Sequence, residues 1–484
     1  MKAIAFPLSV TFFLLLSVGV EAFAQGQTTG RIEGSVRDQA GALVVLAEVS
    51  ATSRANREER KTKTNHNGDF ALLLLPPGSY LLRINANGFQ QLVFDNVIVG
   101  ITETTRIDAK LVVGSGPQAS LTISTSAAPT YADGPSLGRI VDSQAVSELP
   151  LATRNYTQIL ALSPGSDAGL ADNTGVGRNS QNISVNGARR TQNNFQINGV
   201  DANTIGTNSA LFIAVPAPET IQEFKVQTSL YDATFGRSGG GNMQAVTKGG
   251  GNDFHGAVYD YFRIQGLNAN NPFLKAAGVG CPPLERDVFG TTLGGPIRKE
   301  RAFFFVAYQG TRERNGASIN SVSPSVLIAR GLTNDRSEQT LLSTFNRTSI
   351  HPVSLALLNL RLPDGSFLIP TPQANGRYSG WALSSFQEDQ INTNVEFRLS
   401  EKNWLTAKFF LANAPWTLAM FNGPNVPGFD DERQLNHRLL SIQDIHTFNP
   451  RLLNEARLGY NFVRNNCEGF CVTCFEIAYL PAEE

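Results

Sequence analysis

Over Gln390–Leu399 apolar and polar positions alternate. Ile391, Thr393, Val395, Phe397 and Leu399 fall on one face of an extended chain, and Gln390, Asn392, Asn394, Glu396 and Arg398 fall on the other. A period of two, rather than 3.6, predicts a two-faced strand. The same period recurs through the second half of the chain. It predicts seven strands, over 254–263, 286–297, 301–312, 388–399, 404–412, 437–448 and 453–463. In the last of these, Ala456, Leu458, Tyr460 and Phe462 alternate with Glu455, Arg457, Gly459 and Asn461.

Alternation alone does not say which face meets water, because a soluble sandwich shows the same period. The joins discriminate. Short ones at Arg298–Glu300, Ser400–Asn403 and Asn449–Arg451 take turns with long ones over about 264–285, 313–387 and 413–436. Short turns at one end and long loops at the other are the rhythm of an outer-membrane barrel. Phe303, Phe304, Phe305 and Tyr308 are then expected in an aromatic girdle at the membrane boundary.

The first half carries shorter periods and denser turns. Residues 26–113 predict a compact β-sandwich. Arg31–Val36 alternates, Asn67-Gly68 supplies a turn, and Pro76-Pro77-Gly78 leads into the alternating Tyr80–Ile84. Residues 114–135 are a Gly, Ser, Pro and Ala linker whose one β-prone island is Ser120, Leu121, Thr122, Ile123 and Ser124. Residues 136–250 predict a second unit of short strands broken by Asn-Gly turns, ending in Gly239-Gly240-Gly241 and Gly249-Gly250. Gly236 and Gly239–Gly241 are expected to let the chain pass close under a barrel wall.

The N-terminus adds a compartment. Lys2, an apolar run from Leu8 to Val20 and Ala22-Phe23-Ala24 form a secretory signal peptide over 1–24, with a mature start at Gln25. The apolar run is short for a spanning helix of about 20 residues. A net charge of −1 leaves no electrostatic footprint for nucleic acid.

Three stretches together resemble the Oar-like TonB-dependent receptors. They are Val185–Asn203 (VNGARRTQNNFQINGVDAN), Tyr231–Arg263 (YDATFGRSGGGNMQAVTKGGGNDFHGAVYDYFR) and Phe289–Tyr308 (FGTTLGGPIRKERAFFFVAY). The N-terminal pattern G-S-V-R-D, N-G-D-F, L-P-P-G-S-Y and A-N-G-F resembles the carboxypeptidase regulatory-like domain, with its carbohydrate-binding-like sandwich fold. The resemblance implies a mostly β protein of the outer membrane. Its order would be signal peptide, periplasmic sandwich 26–113, linker 114–135, plug domain 136–250 and partial barrel 251–466, followed by an atypical tail 467–484. It implies uptake of a bulky nutrient such as an oligosaccharide, siderophore or peptide, with TonB, outer-membrane lipid and an unknown extracellular substrate as partners. Ser120, Leu121, Thr122, Ile123 and Ser124 are the candidate TonB contact, since a β-prone segment in a tether suits strand addition. Arg189, Arg190, Asn193 and Asn194 are candidate substrate-binding residues on an apical loop; the alternative is hydrogen bonding to a polar wall.

Transporters of this kind close about 22 strands around a plug. The seven strands here are therefore read as the N-terminal part of a transporter's barrel; the alternatives are an anchor for surface and adhesion loops or a non-functional truncated product. Cys467, Cys471 and Cys474 have the spacing of an iron–sulfur site, but an exported chain with ten residues after the last cysteine makes them incidental. No H-E-x-x-H, no phosphate-binding loop and no nucleophile–base pair occurs, so no enzyme, metal or cofactor is expected.

Overall fold

The computed structural model describes residues 28–114, 120–127, 137–149, 151, 154–168, 183–204, 213–230, 235–236, 239–270, 272–276, 278, 280–316, 325–327, 330–362, 365–379, 383–418, 431–449 and 452–468. The proposed signal peptide, Cys471 and Cys474 lie outside them.

The N-terminal unit is a two-sheet sandwich. Its strands are β1 (Gly30–Asp38), β2 (Glu48–Ser53), β3 (Glu59–Lys63), β4 (Asp69–Leu75), β5 (Gly78–Asn85), β6 (Gln91–Val99), β7 (Thr104–Arg106), β8 (Ala109–Leu111) and β9 (Ser120–Ala127). One sheet runs β4-β1-β7 with β8 also on β1; the other runs β3-β2-β5-β6-β9. The alternating residues do what their period predicts: Ile32, Val36, Val49, Leu72, Leu82 and Ile84 are at most 3% exposed. The turn into β4 is built by Asn65, whose Oδ1 accepts from the amides of Asn67 (2.8 Å) and Asp69 (3.0 Å), with Gly68 at φ 72°. The β-prone island of the linker is the last strand of the second sheet, parallel to β6.

The plug unit contains β10 (Leu137–Asp142), α1 (Ser143–Glu148), β11 (Ser166–Ala168), β12 (Ile183–Val185), β13 (Asn194–Ile197), β14 (Val200–Asp201), β15 (Ile221–Ser229) and β16 (Asn242–Thr247). Its main sheet runs β10-β15-β16-β13-β14. Asp142 caps α1 by accepting from the Ala145 amide at 2.8 Å. Asn198 and Gly199, both at positive φ, make the tight β13–β14 turn.

The C-terminal half is one antiparallel sheet of seven strands in sequence order. These are β17 (His255–Ile264), β18 (Leu284–Arg298), β19 (Ala302–Asn315), β22 (Ser384–Ser400), β23 (Asn403–Leu418), β24 (Asp431–Asn449) and β25 (Leu452–Glu468). A short helix α2 (Pro272–Ala276) lies between the first two, and the long β19–β22 connection holds the pair β20 (Ser325–Leu327) and β21 (Arg377–Ser379) with helices α3 (Glu338–Phe345) and α4 (Pro352–Asn359). All seven predicted strands are present, with the short joins at 298–300 and 400–403; residues 450 and 451 of the third join lie outside the described residues. Among the described residues the sheet is open, with β17 and β25 at its two ends.

Candidate functional site

The burial of the seven-stranded sheet decides what its alternation left open. On β22, Gln390, Asn392 and Asn394 are at most 5% exposed, while Ile391 is 40% and Leu399 63% exposed. The polar row is inside and the apolar row is outside. Val258, Phe262, Leu293, Ile297, Val306, Leu458 and Tyr460 continue the apolar exterior across four other strands. No water-soluble sheet gains by this arrangement, whereas hydrocarbon on the outside requires it. The band ends above in polar residues that face one another across the strands: Asp287 opposite Arg312, Asp389 opposite Asn413, and Asn436 opposite Arg464. Below, it ends at the short joins. From Ile391 to Leu399 the apolar height is roughly 20 Å at the usual barrel tilt.

The expected girdle divides. Phe304 and Tyr308 stand on the outer face, but Phe303 and Phe305 are no more than 1% exposed and point inward, where Phe303 stacks on Trp404. Four aromatic residues so close in a strand cannot share one face, because the period is two.

The inner face is the seat of the plug. Asn394 Nδ2 donates to Thr247 Oγ1 (3.0 Å) and to the Lys248 carbonyl (2.5 Å), and Lys408 Nζ donates to the Thr247 carbonyl (2.8 Å). Gln390 Nε2 donates to the Val215 carbonyl (2.9 Å), Ser441 Oγ to that of Asn198 (3.0 Å), and Asn461 Nδ2 to that of Asp201 (2.9 Å). Apart from the Thr247 hydroxyl, every acceptor is a plug backbone carbonyl held by a wall side chain. Level with this row and above it the contact is also apolar: Phe386, Phe410, Ala412, Trp416 and Leu439 share one core with Phe224 and Ile197 of the plug. At β17, Arg154 of the plug pairs with Glu219 and lies 3.9 Å from the ring centroid of Tyr261.

The glycines that permit close passage are Gly249 and Gly250. A Cβ on Gly250 would stand 2.7 Å from the Phe303 side chain and the Phe304 backbone, and one on Gly249 would meet the Glu396 carboxylate. Gly240 serves a different end, since its Cβ would meet Asn193 and Gln192 inside the plug. The expectation that Gly239–Gly241 pass under the wall is thus corrected: the close approach at Gly240 is to the plug's own turn.

The sandwich sits at the short-turn end. Glu223 on β15 accepts from the Ile101 amide at 2.8 Å, and Lys225 Nζ reaches Thr102 Oγ1 (2.6 Å) and Glu103 Oε1 (2.5 Å). Burial pushes the Glu223 carboxyl up to about 7, against the opposing pull of the Ile101 amide and Lys225; Glu103 and Asp142 add to the rise. Arg60 Nη1 also donates to Thr447 Oγ1, beside the last short turn, at 2.5 Å.

The candidate site residues fall into three groups. Ser120–Ser124 lie within β9, their backbone paired with β6. Arg189 and Arg190 are exposed. Asn193 and Asn194 are buried and bonded within the plug: Asn193 Nδ2 donates to the Ile183 carbonyl (2.6 Å), its Oδ1 accepts from the Gly241 amide (2.9 Å), and Asn194 Oδ1 accepts from Asn203 (2.9 Å). β16 descends toward Thr247 at the short-turn end, and β13 runs parallel to it. The turn carrying Arg189 and Arg190 therefore opens at the long-loop end. The wall residues Gln390, Asn394, Lys408, Ser441 and Asn461 were absent from the expected site, although their place on the polar row of each strand was the available signal.

Three family models match in order: Carboxypeptidase regulatory-like domain over 31–112, TonB-dependent Receptor Plug Domain over 135–242 and Outer membrane beta barrel domain over 246–470. The TonB-dependent transporter Oar of Myxococcus xanthus is 29% identical over 331 residues, covering 63% of this chain and 29% of the relative. Similar solved structures include the outer membrane transporter YddB of Escherichia coli (12% identity, TM-score 0.45, 69% of this chain and 40% of that one). Another is the siderophore receptor PirA of Pseudomonas aeruginosa (12%, 0.41, 69% and 42%). The chain thus spans less than a third of the curated relative and about two-fifths of these structures. A carboxypeptidase regulatory-like domain, a TonB-dependent receptor plug domain and an outer-membrane β-barrel domain thus follow one another in this chain, which is similar in sequence to the TonB-dependent transporter Oar.

Proposed function

We propose that this chain forms the N-terminal part of an active importer, exported by residues 1–24, that takes a bulky nutrient across the outer membrane when TonB acts on Ser120–Ser124. The observation that carries the reading is the plug's seat. Lys408, Asn394, Gln390, Ser441 and Asn461 hold plug backbone by one hydrogen bond each, and Asn394 adds a second to the Thr247 hydroxyl. Each such bond contributes about 0.5–1.5 kcal/mol net, because water replaces it when it breaks. A plug held this way stays closed at rest and parts under a modest pull. The open edges of β17 and β25 are completed by further strands, since an unpaired backbone group in hydrocarbon costs several kcal/mol. Arg189 and Arg190, exposed at the long-loop end, are the proposed first contact for substrate.

The test is growth of a strain lacking the gene on single siderophores, oligosaccharides and peptides. The reading expects one class to be lost, restored by the wild-type gene and not by Leu121→Pro. Full growth of the deletion strain on every class, or full restoration by Leu121→Pro, contradicts it.

A further inference from the structure

The sandwich is bonded to the plug, to the crossing between plug and wall, and to the wall itself. On the plug side, the turn Gly100–Glu103 between β6 and β7 receives Lys225. Its Nζ donates to the Ile101 carbonyl (3.3 Å), Thr102 Oγ1 (2.6 Å) and Glu103 Oε1 (2.5 Å). The fit is close, since a Cβ on Gly100 would stand 3.0 Å from Ile140 Cδ1 and 3.2 Å from the Glu223 carboxylate. At the crossing, the Asn252 amide donates to the Ala55 carbonyl (2.8 Å), and Asn252 Oδ1 accepts from the Glu300 amide of the first short join (2.8 Å). On the wall side, Arg457 Nη2 of β25 donates to Thr28 Oγ1 (2.7 Å), and Arg60 Nη1 donates to Thr447 Oγ1 of β24 (2.5 Å). Arg60 also pairs with Glu58 at 2.7 Å, neither side chain more than 10% exposed. The pair lines a crevice with Arg398, Ser400, Lys402 and Trp404 that has room for no more than a water. These contacts run from the β18–β19 join to β25, so the sandwich lies across the short-turn mouth of the sheet and not beside it.

The wall and plug joints meet inside the sandwich. Thr28, which accepts from Arg457 of the wall, precedes Thr29, whose carbonyl accepts from the Thr102 amide (3.1 Å). Thr102 in turn accepts from Lys225 of the plug. The Arg31 amide donates to the Glu103 carbonyl (2.9 Å) and fixes the same turn to the start of β1. Plug strand β15 is thus tied to wall strand β25 through one short stretch of sandwich backbone.

We propose that the sandwich is a latch on the periplasmic mouth: bolted to wall and plug in series, it holds the plug closed until one joint opens. The inference deepens the importer reading and rests on it, because only a plug that moves needs holding. The chemistry favours a latch over a passive spacer. Four of the five side chains that seat the plug on the wall are neutral. The latch bonds of Lys225, Arg60 and Arg457 each carry a charge. Hydrogen bonds to an ionised group are roughly twice as strong as neutral ones, and buried ones are little screened by salt. A spacer would need only the covalent tether, not buried cations on both sides of it.

The series connection gives a test that involves neither substrate nor TonB. The complete protein is reconstituted in phosphatidylcholine vesicles loaded with calcein, and dye release is timed across a urea series. Thr28→Val with Thr447→Val removes the acceptors of the wall joint, and Lys225→Met removes the donor of the plug joint. Limited proteolysis of the sandwich checks that each variant is folded; if Thr28→Val is digested, Thr447→Val alone carries the wall arm. The proposal expects release at a fixed low urea concentration to be at least about tenfold faster in either variant, as the loss of bonds to charged groups allows. Combining the substitutions should add nothing further. A wild-type rate in either variant, with the wild type releasing dye in higher urea, overturns the latch and leaves the importer reading standing. Two effects that multiply also overturn it, since joints in series fail when either one does. No release from any protein, even in urea that brings hydrogen exchange of the β16 amides to the unfolded rate, means no pore behind the plug and overturns both.

Discussion

Strands β5 and β22 alternate with the same period and bury opposite chemistries. In β5, Tyr80, Leu82 and Ile84 are buried and Arg83 and Asn85 stand outside them. In β22, Gln390, Asn392 and Asn394 are buried and Ile391 is among the exposed residues. The sandwich closes an apolar core between two sheets. The seven-stranded sheet turns an apolar row outward and uses its polar row to hold another domain. Period therefore identifies the strand, and only the surroundings decide which face is inside. A residue's effect on stability follows from that sign, so the same substitution has opposite meanings in the two regions.

The largest effect is expected in the sandwich. Leu82→Asp sets an unpaired carboxylate among Ile32, Val49 and Leu72, at a cost of more than about 4 kcal/mol. Limited proteolysis of the whole chain should show the N-terminal unit digested while the membrane-embedded part survives. A sandwich as resistant as the wild type breaks the comparison on that side.

Next comes the outer face of the wall. Leu293 is half exposed near the middle of the apolar band. Leu293→Arg should cost about 2–4 kcal/mol in a bilayer, whereas an exposed position in water shifts stability by less than about 0.5 kcal/mol. Urea unfolding in lipid distinguishes the two values.

A smaller effect sharpens the account of the inner face. Asn394→Ala removes the donor to Thr247 and Lys248, leaves the wall otherwise intact, and should weaken the seat by about 1–3 kcal/mol. Hydrogen exchange at the β16 amides should quicken while that of β2 and β5 stays unchanged. Equal exchange in both proteins would show that the plug is held by its apolar contacts alone.

The smallest effect lies where sandwich and plug meet. Burial against the sandwich pushes the Glu223 carboxyl up to about 7, from an ordinary value of 4.5. The folded form holds the proton more tightly than the unfolded form, so this group's contribution is complete below about 4.5. It declines as pH rises from there to about 7, then stays constant. Glu223→Gln should flatten the stability of the sandwich–plug contact across that window. Protease nicking between residues 99 and 104, followed against pH, measures it.

Much of this architecture was legible. The seven wall strands and the short joins at 298–300 and 400–403 follow from alternation and turn chemistry, and Asn-Gly pairs mark the plug turns at 186–187 and 198–199. The strand ends were not legible. β24 begins at Asp431 and β23 continues to Leu418, beyond the apolar band, where the apolar row of β23 changes to the inner face as Ala412, Ala414, Trp416 and Leu418. Nor were α3 and α4 in the β19–β22 connection, whose local pattern is too short to stand out from a loop. Asn193 and Asn194 read as ligand contacts because a polar pair between strands has two uses. Their burial, together with the Ile183 carbonyl and the Gly241 amide as partners of Asn193, shows the internal one.

The central claim is the sign of burial in the wall, and site-directed spin labelling from position 390 to 397 measures it directly. In the membrane-inserted protein, collision with dissolved oxygen, which concentrates in hydrocarbon, should peak at 391, 393, 395 and 397 and fall at 390, 392, 394 and 396. The same alternation with its maxima on Gln390, Asn392 and Asn394, or no alternation at all, would contradict a wall that faces lipid with its apolar row and the plug with its polar one.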